Sequence, residues 1–273
     1  MDNAVIDGAR LAYHHSPGTT GETVVLLHGT PSHTFLWRNV IPEPEADGHG
    51  VLAHDLLGYG RSERPVGRAT SVVEQVPLLH GLLDHLGIER CTLVAHDIGG
   101  AIAQLFAVEH PQRVRRLMLI DSVCRDSWPS PTWRRIIEEH GDDHARLPQQ
   151  DFEQILTRQL QSAVATPMAE PVLDAYLEPH RGPLGRMSFF EHQVRHYDSR
   201  PTREIAARLP ELTMPTRVLW GEQDRWQPVE LGEWLARTIP GAELAVIPAA
   251  GHFLPEEAPG RVAAEIRSLL GES

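Results

Sequence analysis

The chain has 273 residues, 41% of them apolar, and carries 25 Lys and Arg against 37 Asp and Glu for a formal net charge of −12. That balance argues against nucleic-acid and anionic-membrane partners, which call for a basic surface, and the apolar content excludes a disordered composition. Two cysteines make no disulfide framework, the start MDNAVIDGAR lacks a secretory pattern, and no apolar run approaches the ~20 residues of a membrane helix, so a soluble, cytoplasmic protein is expected.

AVIDGARLAYHH holds two short extended runs joined by Asp7-Gly8, a hairpin signal. ETVVLLHG and GVLAHDLLG are continuous apolar runs, the grammar of buried parallel strands. SVVEQVPLLHGLLDHLG opens with Ser71 and Glu74 at capping-box spacing and ends at Gly87, which predicts a helix that Pro77 should kink or shorten from its start. RCTLVAH then reads as a strand, GGAIAQLFAVEH as a helix stopped by Pro111, and VRRLMLID as another strand. The rhythm breaks after Asp121. Residues 122–210 are rich in Pro and Arg and helical in tendency, with no good buried strand. Strands and helices resume with MPTRVLWGEQD, PVELGEWLARTIP, AELAVIPAAGH and APGRVAAEIRSLL. The expectation is an α/β core of residues 1–121 and 211–273, a mostly parallel sheet of about eight strands flanked by helices. Residues 122–210 would be a helical cap inserted after the sixth strand.

Five candidate groups follow predicted strands: the turn His28-Gly29-Thr30-Pro31, then Asp97, Asp121, Asp224 and His252. In open α/β sheets that edge is where ligands bind. Asp97 sits in Ala95-His96-Asp97-Ile98-Gly99, the small-x-nucleophile-x-small pattern of a strained strand–turn–helix elbow. Taken alone, an aspartate before a helix is as readily an N-cap. Its partners shift the balance. His252, in a Gly-bearing loop, suits a base, and Asp224 can orient it, with Asp121 an alternative acid. Gly29 and Pro31 allow a sharp turn that exposes the Thr30 N–H, which with the Ile98 N–H would make an oxyanion hole.

In order, HGTP, AHDIGG, WGEQD and AGHF resemble the α/β-hydrolase superfamily over nearly the whole chain. With Asp in the elbow, the chain resembles the branch of epoxide hydrolases and haloalkane dehalogenases, and HGTPSHTFLWRNVIP and DLLGYGRS are similar to segments of those enzymes. The chemistry agrees. Asp attack on an acyl carbon gives an anhydride, whereas attack on an sp³ carbon gives an ester that an activated water can hydrolyse. The resemblance implies that a halide would need N–H donors, one from a tryptophan directly after the nucleophile; here that residue is Ile98. An epoxide would need an acid, usually two cap tyrosines or a His–Tyr pair. The insertion offers Tyr197, with Tyr176 or His144 as partner, so an epoxide hydrolase acting on a small apolar organic molecule is expected ahead of a haloalkane dehalogenase. A non-catalytic binding protein and a biosynthetic enzyme of the same fold are the remaining alternatives. No cofactor or metal is expected: DLLGYGRS lacks the third glycine of a dinucleotide fingerprint, and His192 and His196 lack a third ligand.

Overall fold

The computed structural model describes residues 1–140 and 145–271. Eight strands build one sheet: β1 (Asp2–Ile6), β2 (Ala9–Ser16), β3 (Thr23–Leu27), β4 (Gly50–His54), β5 (Cys91–His96), β6 (Val114–Ile120), β7 (Thr216–Gly221) and β8 (Glu243–Ile247). Their spatial order is β1-β2-β4-β3-β5-β6-β7-β8. β1 and β2 pair antiparallel through the two-residue turn Asp7-Gly8, and β2 runs antiparallel to β4. All remaining pairs are parallel.

Every residue of β4 and β5 is buried, as strands covered on both faces must be. Alternation along β3 sorts the core into two layers. Val25 and Leu27 face one cluster with Leu93, Leu79 and Phe106, while Val24 and Leu26 face another with Val94, Met118 and Ile266.

A short helix α1 (Pro42–Ala46) precedes β4, and α2 (Val72–His85) and α3 (Ile98–Glu109) flank β5 in sequence. The capping box expected at Ser71 does not form, since the Ser71 side chain makes no cap bond. Pro77 does not displace the start of α2 either: the helix begins five residues ahead of it. Burial of Val72, Val76, Leu79, Leu82 and Leu83 holds the helix where local signals alone would not.

Between β6 and β7, residues 122–130 are irregular. The described residues that follow form α4 (Pro131–Arg135), a π-turn over Ile136–His140, then α5 (Gln149–Ala163), α6 (Glu170–Leu177), α7 (Gly182–Ser188) and α8 (Arg200–Ile205). Hydrogen bonds tie this segment to core loops: the Thr70 hydroxyl donates to the His192 carbonyl, Arg64 to that of Pro179, and the His33 ring contacts that of Ala175. After β7 come α9 (Val229–Thr238), α10 (Leu254–Glu257) beyond β8, and α11 (Pro259–Leu270). Among the described residues no helix is long and apolar enough to cross a membrane.

Close backbone approach is tightest where β5 turns into α3. A Cβ on Gly99 would lie 2.5 Å from the His28 carbonyl oxygen and 2.7 Å from that of Leu27, neither of which can yield as a side chain tip would. Gly99→Ala is therefore expected to destabilise the protein by roughly 1–3 kcal/mol. Gly260→Ala, where nothing lies within 4 Å, should be neutral or slightly stabilising. Thermal melting of the two variants checks both.

Candidate active site

Asp97 ends β5 and starts α3 with φ 52° and ψ −121°, a backbone region that non-glycine residues rarely occupy. Its side chain makes no cap bond to α3. Instead the Thr30 N–H donates to Asp97 Oδ2 over 2.7 Å, and the Ile98 N–H at the start of α3 also favours the charged carboxylate. The Asp97 main chain is pinned as well: its N–H donates to the Ile120 carbonyl and its own carbonyl accepts from Val123. Gly29 completes the cradle, because a Cβ there would meet Asp97 Oδ2 at 2.5 Å. Burial raises the Asp97 pKa, while His252 and the two N–H donors oppose the rise.

His252 is fully buried on the loop after β8. Asp224 Oδ2 lies 2.8 Å from its Nδ1, which assigns the proton to Nδ1 and leaves Nε2 facing Asp97 Oδ1 at 3.8 Å. That Nε2 has no other partner among the described residues. The other oxygen of Asp224 accepts the N–H groups of Trp226 and Gln227, so the carboxylate is held at both ends. Burial disfavours the His252 cation, but Asp224 and then Asp97 outweigh it and the net pKa is raised above 6.5.

Asp121, the alternative orienting acid, does not reach the imidazole. Its Oδ1 accepts the Gly221 N–H at 2.8 Å and its Oδ2 has no partner among the described residues. Burial, and then the charge of Asp224, push its pKa well up.

Asp97 lines a cavity of ≈ 200 Å³ together with Thr30, Ile98, Val123, Trp128, Trp133, Gln159, Tyr197 and Trp226. Tyr197 shares a 2.5 Å hydrogen bond with the Thr30 hydroxyl, and its pKa is raised, first by burial. Tyr176 does not reach this cavity. Its hydroxyl donates to Glu256, which also takes both terminal nitrogens of Arg38. His144 lies outside the described residues. His28 faces inward rather than into the cavity: its Nδ1 donates to the Gly29 carbonyl, its Nε2 accepts from Leu56, and burial lowers its pKa to about 4. Pro31 follows Thr30 through a cis bond and does not line the cavity.

Three contributors escaped the sequence reading. Buried Tyr59 lines a small cleft with Ile98 and Tyr197; the only trace in the sequence was the tyrosine of DLLGYGRS. Trp226 lays its ring 5.0 Å from that of His252. His96 donates from Nε2 to the His252 carbonyl at 2.7 Å, and nothing local marked that histidine among the 16. Trp128 turns its indole N–H to the Thr202 hydroxyl, away from any ligand.

This sheet, elbow and histidine loop define a hydrolase architecture, and the chain belongs to the alpha/beta hydrolase fold family, whose model matches residues 22–259. It is 30% identical to haloalkane dehalogenase 2 of Mycobacterium tuberculosis, over 97% of this chain and 93% of that one. It is also 30% identical to a 2-hydroxy-6-oxononadienedioate/2-hydroxy-6-oxononatrienedioate hydrolase of Burkholderia vietnamiensis, covering 92% and 88%. Among solved structures, an alpha/beta hydrolase fold protein from Burkholderia ambifaria superposes with a TM-score of 0.91 at 32% identity, covering 98% and 97%. The epoxide hydrolase CorEH superposes at 0.79 with 25% identity, covering 99% and 98%.

The electrostatics predict how His252 titrates. Its raised pKa depends on the Asp224 charge, so Asp224→Asn should move the imidazole titration to lower pH, because burial then dominates. Asp121→Asn changes a side chain that bonds Gly221 and not the imidazole, and should leave the titration nearly in place. Imidazole NMR titrations of the two variants check this.

Proposed function

We propose that the protein is an epoxide hydrolase that works through a covalent ester on Asp97 and releases a vicinal diol. One observation carries the reading. The two oxygens of Asp97 are differentiated: Oδ2 accepts the Thr30 N–H, and Oδ1 lies 3.8 Å from His252 Nε2. In the first step Asp97 Oδ1 attacks an sp³ carbon of the oxirane, forming an ester C–O bond as the ring C–O bond breaks. The Tyr197 hydroxyl protonates the departing alkoxide, with the Thr30 hydroxyl holding the phenol in place. Its raised pKa keeps the proton on Tyr197 until that oxygen develops charge.

In the second step His252 Nε2 takes a proton from water, and the hydroxide adds to the Asp97 carboxyl carbon. The negative charge of the tetrahedral intermediate falls on Oδ2, which already accepts the Thr30 N–H, with the Ile98 N–H as the second proposed donor. Collapse breaks the ester and His252 returns its proton to the diol oxygen; the Asp97 carboxyl, which now carries the water oxygen and its remaining proton, releases that proton to solvent while Tyr197 takes one up, so both groups return to their starting states. Residues 122–210 act in this scheme as a cap that carries Tyr197, Trp128 and Trp133 to the sheet edge and excludes water. The substrate is a small apolar epoxide.

Haloalkane dehalogenation is the second reading, favoured by the identity to haloalkane dehalogenase 2. Against it stand Ile98, which carries no side-chain N–H, and the engaged indole of Trp128.

His252→Gln is expected to accumulate an ester on Asp97 that is heavier than the protein by one intact epoxide, read by intact-protein and peptide mass spectrometry. A haloalkane would instead add only its alkyl group. An adduct from haloalkanes and none from epoxides would make the second reading correct, and an adduct from neither would remove both. Asp97→Ala should lose all turnover. A single turnover of the parent protein in ¹⁸O water should label Asp97 and leave the diol unlabelled; label in the diol would overturn the ester intermediate.

A further inference from the structure

A second cavity, also ≈ 200 Å³, lies inside the helical segment between β6 and β7, next to the one that holds Asp97. Its walls are apolar, built mainly by Ile136, Phe152, Leu156, Phe189 and Phe190. The three phenylalanines meet in tilted and edge-to-face pairs at centroid distances of 5.2–5.8 Å, which makes a continuous aromatic wall. Two residues, Trp133 and Gln159, line both cavities. Trp133 touches Phe189 on one side at 6.0 Å and Tyr197 on the other at 6.2 Å. Gln159 Oε1 is buried at this junction with no partner among the described residues.

Phe152, Leu156, Phe189 and Phe190 are buried while Trp133, Ile136 and Ile155 are partly exposed, so the cavity opens toward solvent on one side and keeps apolar walls. A dry cavity of about 150 Å³ lined by Leu, Ile and Phe takes up benzene in another protein, so the space here suffices for a phenyl ring or a short alkyl chain. The first cavity holds the reacting groups and the second holds none, yet they meet at one tryptophan and one glutamine.

We propose that the second cavity is a tail site, and that the substrate is a terminal epoxide bearing an unbranched alkyl or phenylalkyl substituent. This rests on the epoxide reading for its head group only. The oxirane lies at Asp97, and the substituent passes between Trp133 and Gln159 to end against Phe152, Leu156 and Phe189. Trp133 thereby links tail to chemistry, since the ring that borders the tail also packs on Tyr197. A substituent too short to pass Trp133 leaves the second cavity unused.

The test measures binding apart from turnover. Calorimetric titration compares 1,2-butanediol with 1,2-octanediol on the parent protein and on Leu156→Trp, which fills the tail site. The parent should prefer the longer diol by about fourfold for each methylene that enters the site. In Leu156→Trp that ratio should collapse toward one. Ile155→Phe, at another wall position, serves as a second variant should Leu156→Trp fail to fold. The kcat/KM ratio of 1,2-epoxyoctane to 1,2-epoxybutane should follow the same pattern. Equal affinity for the two diols in the parent, or a preference unchanged in a folded variant, overturns the tail site. A length preference lost in the variant, alongside no epoxide adduct on His252→Gln, would instead keep the tail site and remove the epoxide head group.

Discussion

A carboxylate buried at 4% exposure cannot stay charged unless the protein replaces the water it has lost. Asp97 is in that position, and much of the surrounding architecture answers it. The Thr30 N–H holds one oxygen, the Ile98 N–H at the start of α3 adds to the stabilisation of the charge, and a histidine made more basic by its own acid faces the other oxygen. Bringing Thr30 close enough requires Gly29, and turning the chain so sharply at Asp97 requires Gly99 to press against the carbonyls of β3 and its following turn. The strained φ of Asp97 is held by bonds from its own N–H and carbonyl into neighbouring loops, so the strain persists because the surroundings over-determine it.

The same site ties together segments far apart in the chain. His96, next to Asp97, donates to the main chain of His252, whose N–H in turn donates to Ala163 at the end of α5. Glu256, four residues past His252, accepts from Tyr176 of α6 and from Arg38 of the loop after β3. The histidine loop is therefore fastened on one side to the elbow and on the other to the helical segment above it. Movement of that segment would be felt at His252, which gives the proposed cap a physical route to the proposed base. Tyr176 serves this linkage rather than acid chemistry, since its hydroxyl is already committed to Glu256.

Two buried acids near one histidine take opposite roles because their donors differ. Asp224 receives two N–H groups on one oxygen and His252 Nδ1 on the other. Asp121 receives a single N–H and sits close to the negative charge of Asp224, so it is driven toward its neutral form. From the linear sequence both are simply aspartates after a strand.

The sequence by itself determined the strands, the hairpin at Asp7-Gly8, the break after Asp121 and the elbow around Asp97, because each rests on local periodicity or on a turn that only certain residues permit. The aspartate in the elbow is also what the proposed attack on a saturated carbon rests on. Tertiary structure alone decided which acid meets His252, which tyrosine reaches the cavity, and that Tyr59, His96 and Trp226 belong to the site. Those choices depend on distances between residues up to 167 positions apart, such as Thr30 and Tyr197, and no local pattern encodes them. The failed capping box at Ser71 teaches the same lesson in reverse: a local signal was present, and burial of one helix face made it unnecessary.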